Sequence, residues 1–197
     1  MAEPQTTPRP GLGPDPAVAA PRWRPGDARP DIASMIRVDQ AGEYGATRIY
    51  AGQQAVLGAR HPASRVIARM QVQEERHLRH FDEMMIDRGV RPTLLQPLWN
   101  IAGHGLGVVT ALLGPEAAMA CTAAVETEID KHYGAQLEAL REDDPDLSGA
   151  IAEFRTEEIE HRDTAVAAGA ENSFGYPILS GLIRAGCRVA IGLSKRI

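Results

Sequence analysis

Two short motifs of the form Glu-x-x-His are the most chemically informative feature of this sequence. Glu74 and His77 form the first motif, and Glu158 and His161 form the second, in the other half of the chain. A separation of three residues places two side chains next to each other on one face of an α-helix. Because carboxylates and imidazoles both bind divalent metal ions, each motif predicts a helix that presents two metal ligands on one side.

Two further glutamates occupy positions where a charge is unexpected. Glu43 and Glu126 each lie in a stripe of otherwise apolar or aromatic residues that recur every seven positions, and the two stripes match member by member at a constant offset. The stripes are Ile36, Glu43, Tyr50 and Leu57 in the first half, and Met119, Glu126, Tyr133 and Leu140 in the second. A carboxylate among apolar residues is costly unless a partner compensates it. The duplicated halves therefore predict one shared, buried site.

Four inward-facing glutamates and two inward-facing histidines on four helices form the ligand set of a di-iron or di-manganese centre in a four-helix bundle. The predicted metal ligands are Glu43, Glu74, His77, Glu126, Glu158 and His161. Two divalent ions would balance the four carboxylate charges. An oxygen-rich set with one imidazole per metal favours iron or manganese over structural zinc, which prefers thiolates.

The glutamates of the two Glu-x-x-His motifs are expected to differ in role from the other two glutamates. We expect Glu74 and Glu158 to bridge the two metals, and the other two glutamates to bind one metal each. The alternative is that these glutamates form surface salt bridges on amphipathic helices. In that case the partners would come from the charged residues beside the first motif, which are Glu75, Arg76 and Arg79.

Several other residues lie close enough in sequence to support the site. Tyr133 is on the ligand face of its helix, so we expect it to reach a metal ligand or the substrate, whereas Tyr50 could be an ordinary core residue. Asp39 and Asp130 lie one helical turn from a predicted ligand, and either could orient a ligand histidine. His80 could contact the site from outside or could serve only in packing.

Composition excludes several other classes of protein. The 197 residues include 21 basic and 26 acidic side chains, and a net charge of −5 argues against broad nucleic-acid binding. The two cysteines, Cys121 and Cys187, lie far apart in the sequence and in no Cys-x-x-Cys or mixed Cys/His pattern. This placement favours neither a disulfide framework nor a cysteine zinc site. Any metal would therefore be held by carboxylates and imidazoles.

The helices that must position these ligands can be delimited from capping residues and prolines. We expect a proline-rich, disordered lead over residues 1–30, followed by one all-α domain over residues 31–197. Asp31 caps a first helix that runs to about Arg60, and His61 has a structural role at the start of the second helix, which ends at Gly89. Later helices begin at Gly114-Pro115 and Asp144-Pro145. The four ligand-bearing helices form two repeated pairs.

Two apolar segments, near residues 94–113 and 176–195, are not needed to hold the ligands. The first lies in a stretch without Asp, Glu, Lys or Arg, and the second places Arg184, Arg188 and Lys195 on one face beside an apolar face. Helices of this kind are typical of membrane interfaces. We expect both segments to lie on an anionic membrane surface; the alternative is that they simply cover the core.

Three stretches of the chain resemble conserved segments of the demethoxyubiquinone hydroxylase family of ubiquinone biosynthesis. They are Met35–Ala46, Ala118–Glu126 and Gly186–Ile191. The likeness extends from about Met35 to Ile197. It implies a ferritin-like bundle with a di-iron centre, and the family's metal ligands fall on the same six residues that the repeat predicts. Two positions depart from the family pattern: Gln40 stands where histidine is expected, and His104 where phenylalanine is expected.

The resemblance also implies a reaction and a location. The expected reaction is hydroxylation of a demethoxyubiquinol-type polyprenyl quinone by O2, with two iron ions as cofactor and NADH as reductant. The expected location is peripheral, on the cytoplasmic side of the cell membrane or, in a eukaryote, on the matrix side of the mitochondrial inner membrane. A partner from a ubiquinone-biosynthesis complex and a homo-oligomer are further expectations. Alternatives on the same scaffold are iron oxidation and storage, peroxide reduction, and a non-enzymatic quinone-binding scaffold.

Overall fold

The structure, a computed structural model, describes residues 30–197, and these form six α-helices, one 3₁₀ turn and no β-strand. The helices are α1 (Ile32–Leu57), α2 (Pro62–Arg88), α3 (Gln96–Leu112), α4 (Pro115–Leu140), α5 (Pro145–Ala167) and α6 (Tyr176–Ser194), and the turn Ala170–Asn172 precedes α6. The predicted all-α class is confirmed. The lead expected over residues 1–30 lies outside the described residues, except for its last position.

Local sequence determines most of the helix ends. Asp31 and Asp144 cap α1 and α5, and each accepts a hydrogen bond from the backbone amide three residues later, at 3.0 and 3.1 Å. The imidazole of His61 accepts a bond from a backbone amide in the first turn of α2, consistent with its expected structural role. The first helix ends at Leu57, slightly earlier than predicted, because Gly58 adopts a positive φ of 74°.

The predicted four-helix bundle is present, and the repeat extends beyond it. α1 packs against α2 and α4 against α5, while α3 lies on α1 and α6 lies on α4, so each half contributes three helices. One apolar cluster, which includes Ile36, Phe81 and Phe154, packs at one end of the bundle. A second cluster, which includes Ile67 and Met119, packs at the other. The inward-facing ligands lie on the same helix faces as these clusters.

Helix α3 approaches α1 very closely through glycine. A Cβ atom on Gly107 would overlap the carbonyl group of Ile49, and one on Gly103 would lie 3.0 Å from the carbonyl oxygen of Gly45. A Cβ atom added to Gly105, on the other side of α3, would meet no neighbouring group within 4 Å. Gly103 and Gly107 therefore face α1, whereas large apolar residues such as Ile101 and Leu112 are exposed.

We expect Gly107→Ala to lower the free energy of unfolding by about 1–3 kcal/mol, because the added methyl group pushes α3 away from α1. The matched control is Gly105→Ala, which should raise the free energy of unfolding by about 0.5–1 kcal/mol because alanine favours the helix. Urea denaturation of both variants measures the difference. Equal effects of the two substitutions would contradict the close packing of α3 on α1.

Candidate metal centre

The six predicted ligands converge in the interior of the bundle. Their side chains are between 0% and 3% exposed. They form two overlapping groups whose ligand atoms all lie within 4.8 Å of one another: Glu43, Glu74, His77 and Glu158 in one, and Glu74, Glu126, Glu158 and His161 in the other. Glu74 and Glu158 belong to both groups, which is the arrangement that bridging carboxylates require.

Both histidines direct the same ring nitrogen into the cluster. Nδ1 of His77 lies 3.1 Å from Oε1 of Glu158 and 3.5 Å from Oε2 of Glu43. Nδ1 of His161 lies 3.0 Å from Oε1 of Glu74 and 3.1 Å from Oε2 of Glu158. Glu158 therefore contacts both imidazoles. The orientation leaves Nε2 of each ring free for a partner outside the cluster.

Burial and mutual repulsion change the acidity of the cluster. Burial, together with the neighbouring carboxylates, raises the pKa of Glu74 and of Glu126 well above the ordinary value of 4.5. Burial alone would lower the pKa of His77, but its contacts with Glu158 and Glu43 outweigh burial and raise this pKa to about 10. Without a metal, the cluster therefore holds protons at neutral pH, and these protons compete with a cation for the same atoms.

The donor atoms fit a pair of cations. Five of the eight carboxylate oxygens in the four glutamates accept no hydrogen bond from any described residue, although they are buried. Buried oxygens without a donor are rare in folded proteins. Each group offers carboxylate oxygens and one imidazole nitrogen, which is a donor set that suits iron or manganese. The residues present therefore fit the two metal ions that the sequence predicts.

Two tyrosines hold the glutamates that belong to only one group each. The hydroxyl of Tyr133 on α4 donates to Oε1 of Glu43 on α1. The hydroxyl of Tyr50 on α1 donates to Oε1 of Glu126 on α4, at 2.8 Å. The prediction that Tyr133 reaches a ligand agrees with this geometry. Tyr50, expected as a possible core residue only, has the same contact, and its position as the repeat counterpart of Tyr133 was the signal that could have identified it.

The prediction that Asp39 or Asp130 orients a ligand histidine is wrong. Oδ1 of Asp39 lies 3.2 Å from Nε2 of His132, which is not a predicted ligand. Asp130 accepts a hydrogen bond from Arg155 at 2.7 Å. Both aspartates lie one turn along the helix from a predicted glutamate ligand, and this displacement along the helix axis is enough for each to meet a residue outside the cluster.

The groups that do contact the ligand histidines from outside are Glu157 and Gln73. Nε2 of His77 lies 2.9 Å from Oε2 of Glu157, and Nε2 of His161 lies 3.0 Å from Oε1 of Gln73. Sequence analysis did not identify these two residues. They occupy equivalent positions, since each immediately precedes the glutamate of a Glu-x-x-His motif, so the repeat contained the signal.

The alternative of surface salt bridges is also wrong, because the four glutamates are at most 1% exposed. Arg76 pairs with Glu153 at 2.8 Å and with Glu157, both of which lie outside the cluster. His80 has a packing role: its ring meets those of Phe81 and Phe154 edge-on, with centroids 5.8 and 5.3 Å away.

The two departures from the family pattern lie away from the cluster. The side-chain amide of Gln40 on α1 donates to Oδ1 of Asp82 on α2 at 3.0 Å. His104 is on α3, and its backbone oxygen lies against Gly52 of α1. Both residues thus belong to helix–helix contacts, and neither lies in the two ligand groups.

Comparison with known proteins identifies the family of this chain. The family model for ubiquinone biosynthesis protein COQ7 matches residues 30–194, which include all six helices. The chain belongs to the COQ7 family. The resemblance given by the three sequence segments is therefore confirmed. Because COQ7 proteins are ferritin-like helical bundles, the predicted ferritin-like fold is confirmed as well.

Several named relatives are similar to this chain over most of their length. The 3-demethoxyubiquinol 3-hydroxylase of Rhodospirillum rubrum is 52% identical over 175 residues, covering 88% of this chain and 82% of the relative. The human mitochondrial NADPH-dependent 3-demethoxyubiquinone 3-hydroxylase is 52% identical, with 86% and 80% covered. The mitochondrial 5-demethoxyubiquinone hydroxylase of Saccharomyces cerevisiae is 42% identical, with 83% and 77% covered.

Proposed function

We propose that this protein hydroxylates the ring of a demethoxyubiquinol-type polyprenyl quinone in ubiquinone biosynthesis, with O2 as oxidant and two iron ions as cofactor. The observation that best supports the metal centre is the pair of ligand groups that share Glu74 and Glu158. The activity class follows from the COQ7 family and from relatives named as ring hydroxylases. We also propose that the metal is iron, that NADH or a related nucleotide supplies the electrons, and that the protein attaches to a membrane.

Each part of the cluster has a distinct task in this proposal. The six ligands would hold the irons, with Glu74 and Glu158 between them. Two irons bound there would supply the chemistry that activates O2 for insertion of one oxygen atom into the ring. The hydroxyls of Tyr50 and Tyr133 fix the orientation of the glutamates they contact. The apolar clusters at both ends of the bundle exclude water from the site.

An apolar cavity of about 490 Å³ provides a place for the substrate. It lies between α1 and α4 on one side and α3 and α6 on the other, and Gly42 and Val125, which directly precede the ligands Glu43 and Glu126, line it. Small residues of α1 and large apolar residues such as Trp99 form its wall. A polyprenyl chain fits such a lining, which would leave the quinone ring free to approach the ligands between α1 and α4.

The outer faces of α3 and α6 form an exposed apolar surface. It consists of Leu98, Ile101, Val109, Leu112, Ile178, Leu182 and Val189 on the two helices and of Phe174 just before α6, and these residues are between 50% and 102% exposed. A continuous apolar surface of this kind indicates a membrane or a partner. We propose that it lies in the membrane interface, because the cavity for a lipid-soluble substrate is directly beneath it. Within residues 30–197, α6 is also the one helix long and apolar enough to cross a membrane.

The basic residues of α6 support a surface position and not a spanning one. Arg184 and Arg188 pair with the buried carboxylate of Glu128 on α4, at 2.8 and 3.2 Å. These ion pairs hold α6 along the bundle. Although burial raises the pKa of Glu128, the two arginines together with Lys131 lower it to about 2. The two arginines are therefore less available to anionic lipids than the sequence predicted, so apolar contact should dominate membrane binding.

We expect glutamate substitutions on this surface to weaken binding to lipid vesicles. Ile101→Glu and Leu182→Glu each remove the burial of a large apolar side chain, worth about 1.5–3 kcal/mol, and should weaken partitioning at least about tenfold. Ile86→Glu is the matched control, since Ile86 is 80% exposed but lies on α2. Co-sedimentation with neutral and anionic vesicles at low and high salt measures the effect. Unchanged sedimentation of both variants would contradict the proposed interface.

The location and partners are proposed on the same basis. We infer peripheral attachment on the cytoplasmic side of the cell membrane, or on the matrix side of the inner membrane in a mitochondrion. The human and yeast relatives carry the word mitochondrial in their names. A ubiquinone-biosynthesis partner protein or a second copy of the chain could cover the part of the apolar surface that lipid leaves exposed.

The proposed activity can be tested with full-length protein loaded with Fe²⁺ under anaerobic conditions. Addition of O2, a demethoxyquinone in vesicles and either NADH or NADPH should give the hydroxylated quinone, detected by its mass. The two reductants are compared because the sequence predicted NADH, whereas the human relative is named as NADPH-dependent. Iron uptake far above two per chain without product would favour storage. Full function without metal would favour a quinone-binding scaffold.

A further inference from the structure

A continuous chain of side chains joins the two ligand histidines on their outer sides. Nε2 of His77 lies 2.9 Å from Oε2 of Glu157. The amide nitrogen of Gln73 donates to that same oxygen at 3.4 Å, and the amide oxygen of Gln73 lies 3.0 Å from Nε2 of His161. The connection crosses between α2 and α5 three times, and both of its central residues occupy the same position of the repeat.

The chain is chemically asymmetric, although its position in the repeat is symmetric. His77 donates its Nε2 proton to a carboxylate, whereas His161 donates to a neutral amide. Hydrogen bonds to a charged acceptor are roughly twice as strong as those between neutral groups. Arg76 also donates to Glu157 and balances its charge from the protein surface. No ion pair to Gln73 is possible, because its side chain is uncharged.

We propose that Glu157 and Gln73 make the two metal positions unequal, so that the ion bound through His77 is held more tightly than the ion bound through His161. The inference rests on the metal centre of the proposed function. A carboxylate that accepts the outer proton of a ligand histidine fixes the ring and makes its other nitrogen a stronger donor. An amide oxygen does this more weakly. Glu157 and Gln73 are therefore positioning residues, which act on the metals through the histidines.

The test uses full-length protein titrated anaerobically with ⁵⁷Fe²⁺ and followed by Mössbauer spectroscopy. In the unmodified protein, we expect the first equivalent of iron to give mainly one quadrupole doublet and the second equivalent to give another. Glu157→Gln gives both histidines an amide partner, so the doublets should converge and the first affinity should fall about 10- to 100-fold.

Glu153→Gln is the control, because Glu153 also accepts a hydrogen bond from Arg76 but contacts neither ligand histidine. It should leave both doublets and both affinities unchanged. Two equivalent irons in the unmodified protein would overturn the inference and leave the metal centre intact. A loss of both affinities in Glu157→Gln without convergence of the doublets would indicate only a structural role and would also overturn it. Failure of the unmodified protein to bind iron would overturn the proposed function itself.

Discussion

Glu158→Ala is expected to remove both irons and to reduce ring hydroxylation by more than about 100-fold, beyond the 10- to 100-fold typical of residues that only support a ligand. Glu158 belongs to both ligand groups and contacts both histidines. Its loss therefore takes one donor from each metal position.

Iron per chain and product formed measure this effect in the same preparation. The matched control is Glu160→Ala, because Glu160 lies in the same Glu-x-x-His motif but is exposed. It should bind two irons and retain turnover. Circular dichroism distinguishes loss of metal from loss of fold, and Glu158→Gln provides a second variant of nearly native shape. Two irons and full turnover in either Glu158 variant would contradict the assignment of this residue as a bridging ligand.

The metal-free protein is expected to lose stability as the pH rises from 6.5 to about 10. The pKa of His77 increases from 6.5 to about 10 on folding, and burial raises the pKa of Glu74 and Glu126. The folded protein therefore binds more protons than the unfolded chain in this interval, and stability falls with pH. Glu158 has a lowered pKa, so its contribution changes only as the pH falls below 4.5.

Metal binding should remove this pH dependence, because the cations replace the protons. One unit of pKa difference corresponds to about 1.4 kcal/mol. For a chain of this size, 1 kcal/mol shifts the melting temperature by roughly 2–4 °C. Thermal unfolding across the interval should therefore show a decrease of at least about 4 °C for the metal-free protein and a much smaller change with Fe²⁺ or Mn²⁺ bound. A metal-free melting temperature that stays constant or rises would contradict the protonated cluster.

The internal repeat explains why so much of the site could be predicted from the sequence. A glutamate within an apolar stripe is informative because burial makes it costly, and the second copy of each motif excludes coincidence. The fold brings together all six predicted ligands in two overlapping groups. Local spacing was sufficient here because each ligand lies on a regular helix, where the position in the sequence determines the face.

The contacts that sequence analysis did not predict are those between different helices. The partner of His77 on α5 and the partner of His161 on α2 depend on how the helices cross, which spacing along one helix does not determine. Asp39 illustrates the same limit, because it lies one turn from Glu43 but meets His132. The sequence predicted the basic face of α6. It did not predict the pairing of this face with Glu128, because Glu128 lies on another helix.

We propose that this COQ7-family chain uses two irons at the buried cluster to insert oxygen from O2 into a quinone ring. The most direct measurement is a single turnover of vesicle-bound, Fe²⁺-loaded protein with ¹⁸O2, a reductant and a demethoxyquinone, followed by mass spectrometry of the quinone. We predict one ¹⁸O atom in the new ring hydroxyl and no product from the metal-free protein. An unlabelled hydroxyl, or iron oxidation that leaves the quinone unchanged, would contradict the claim.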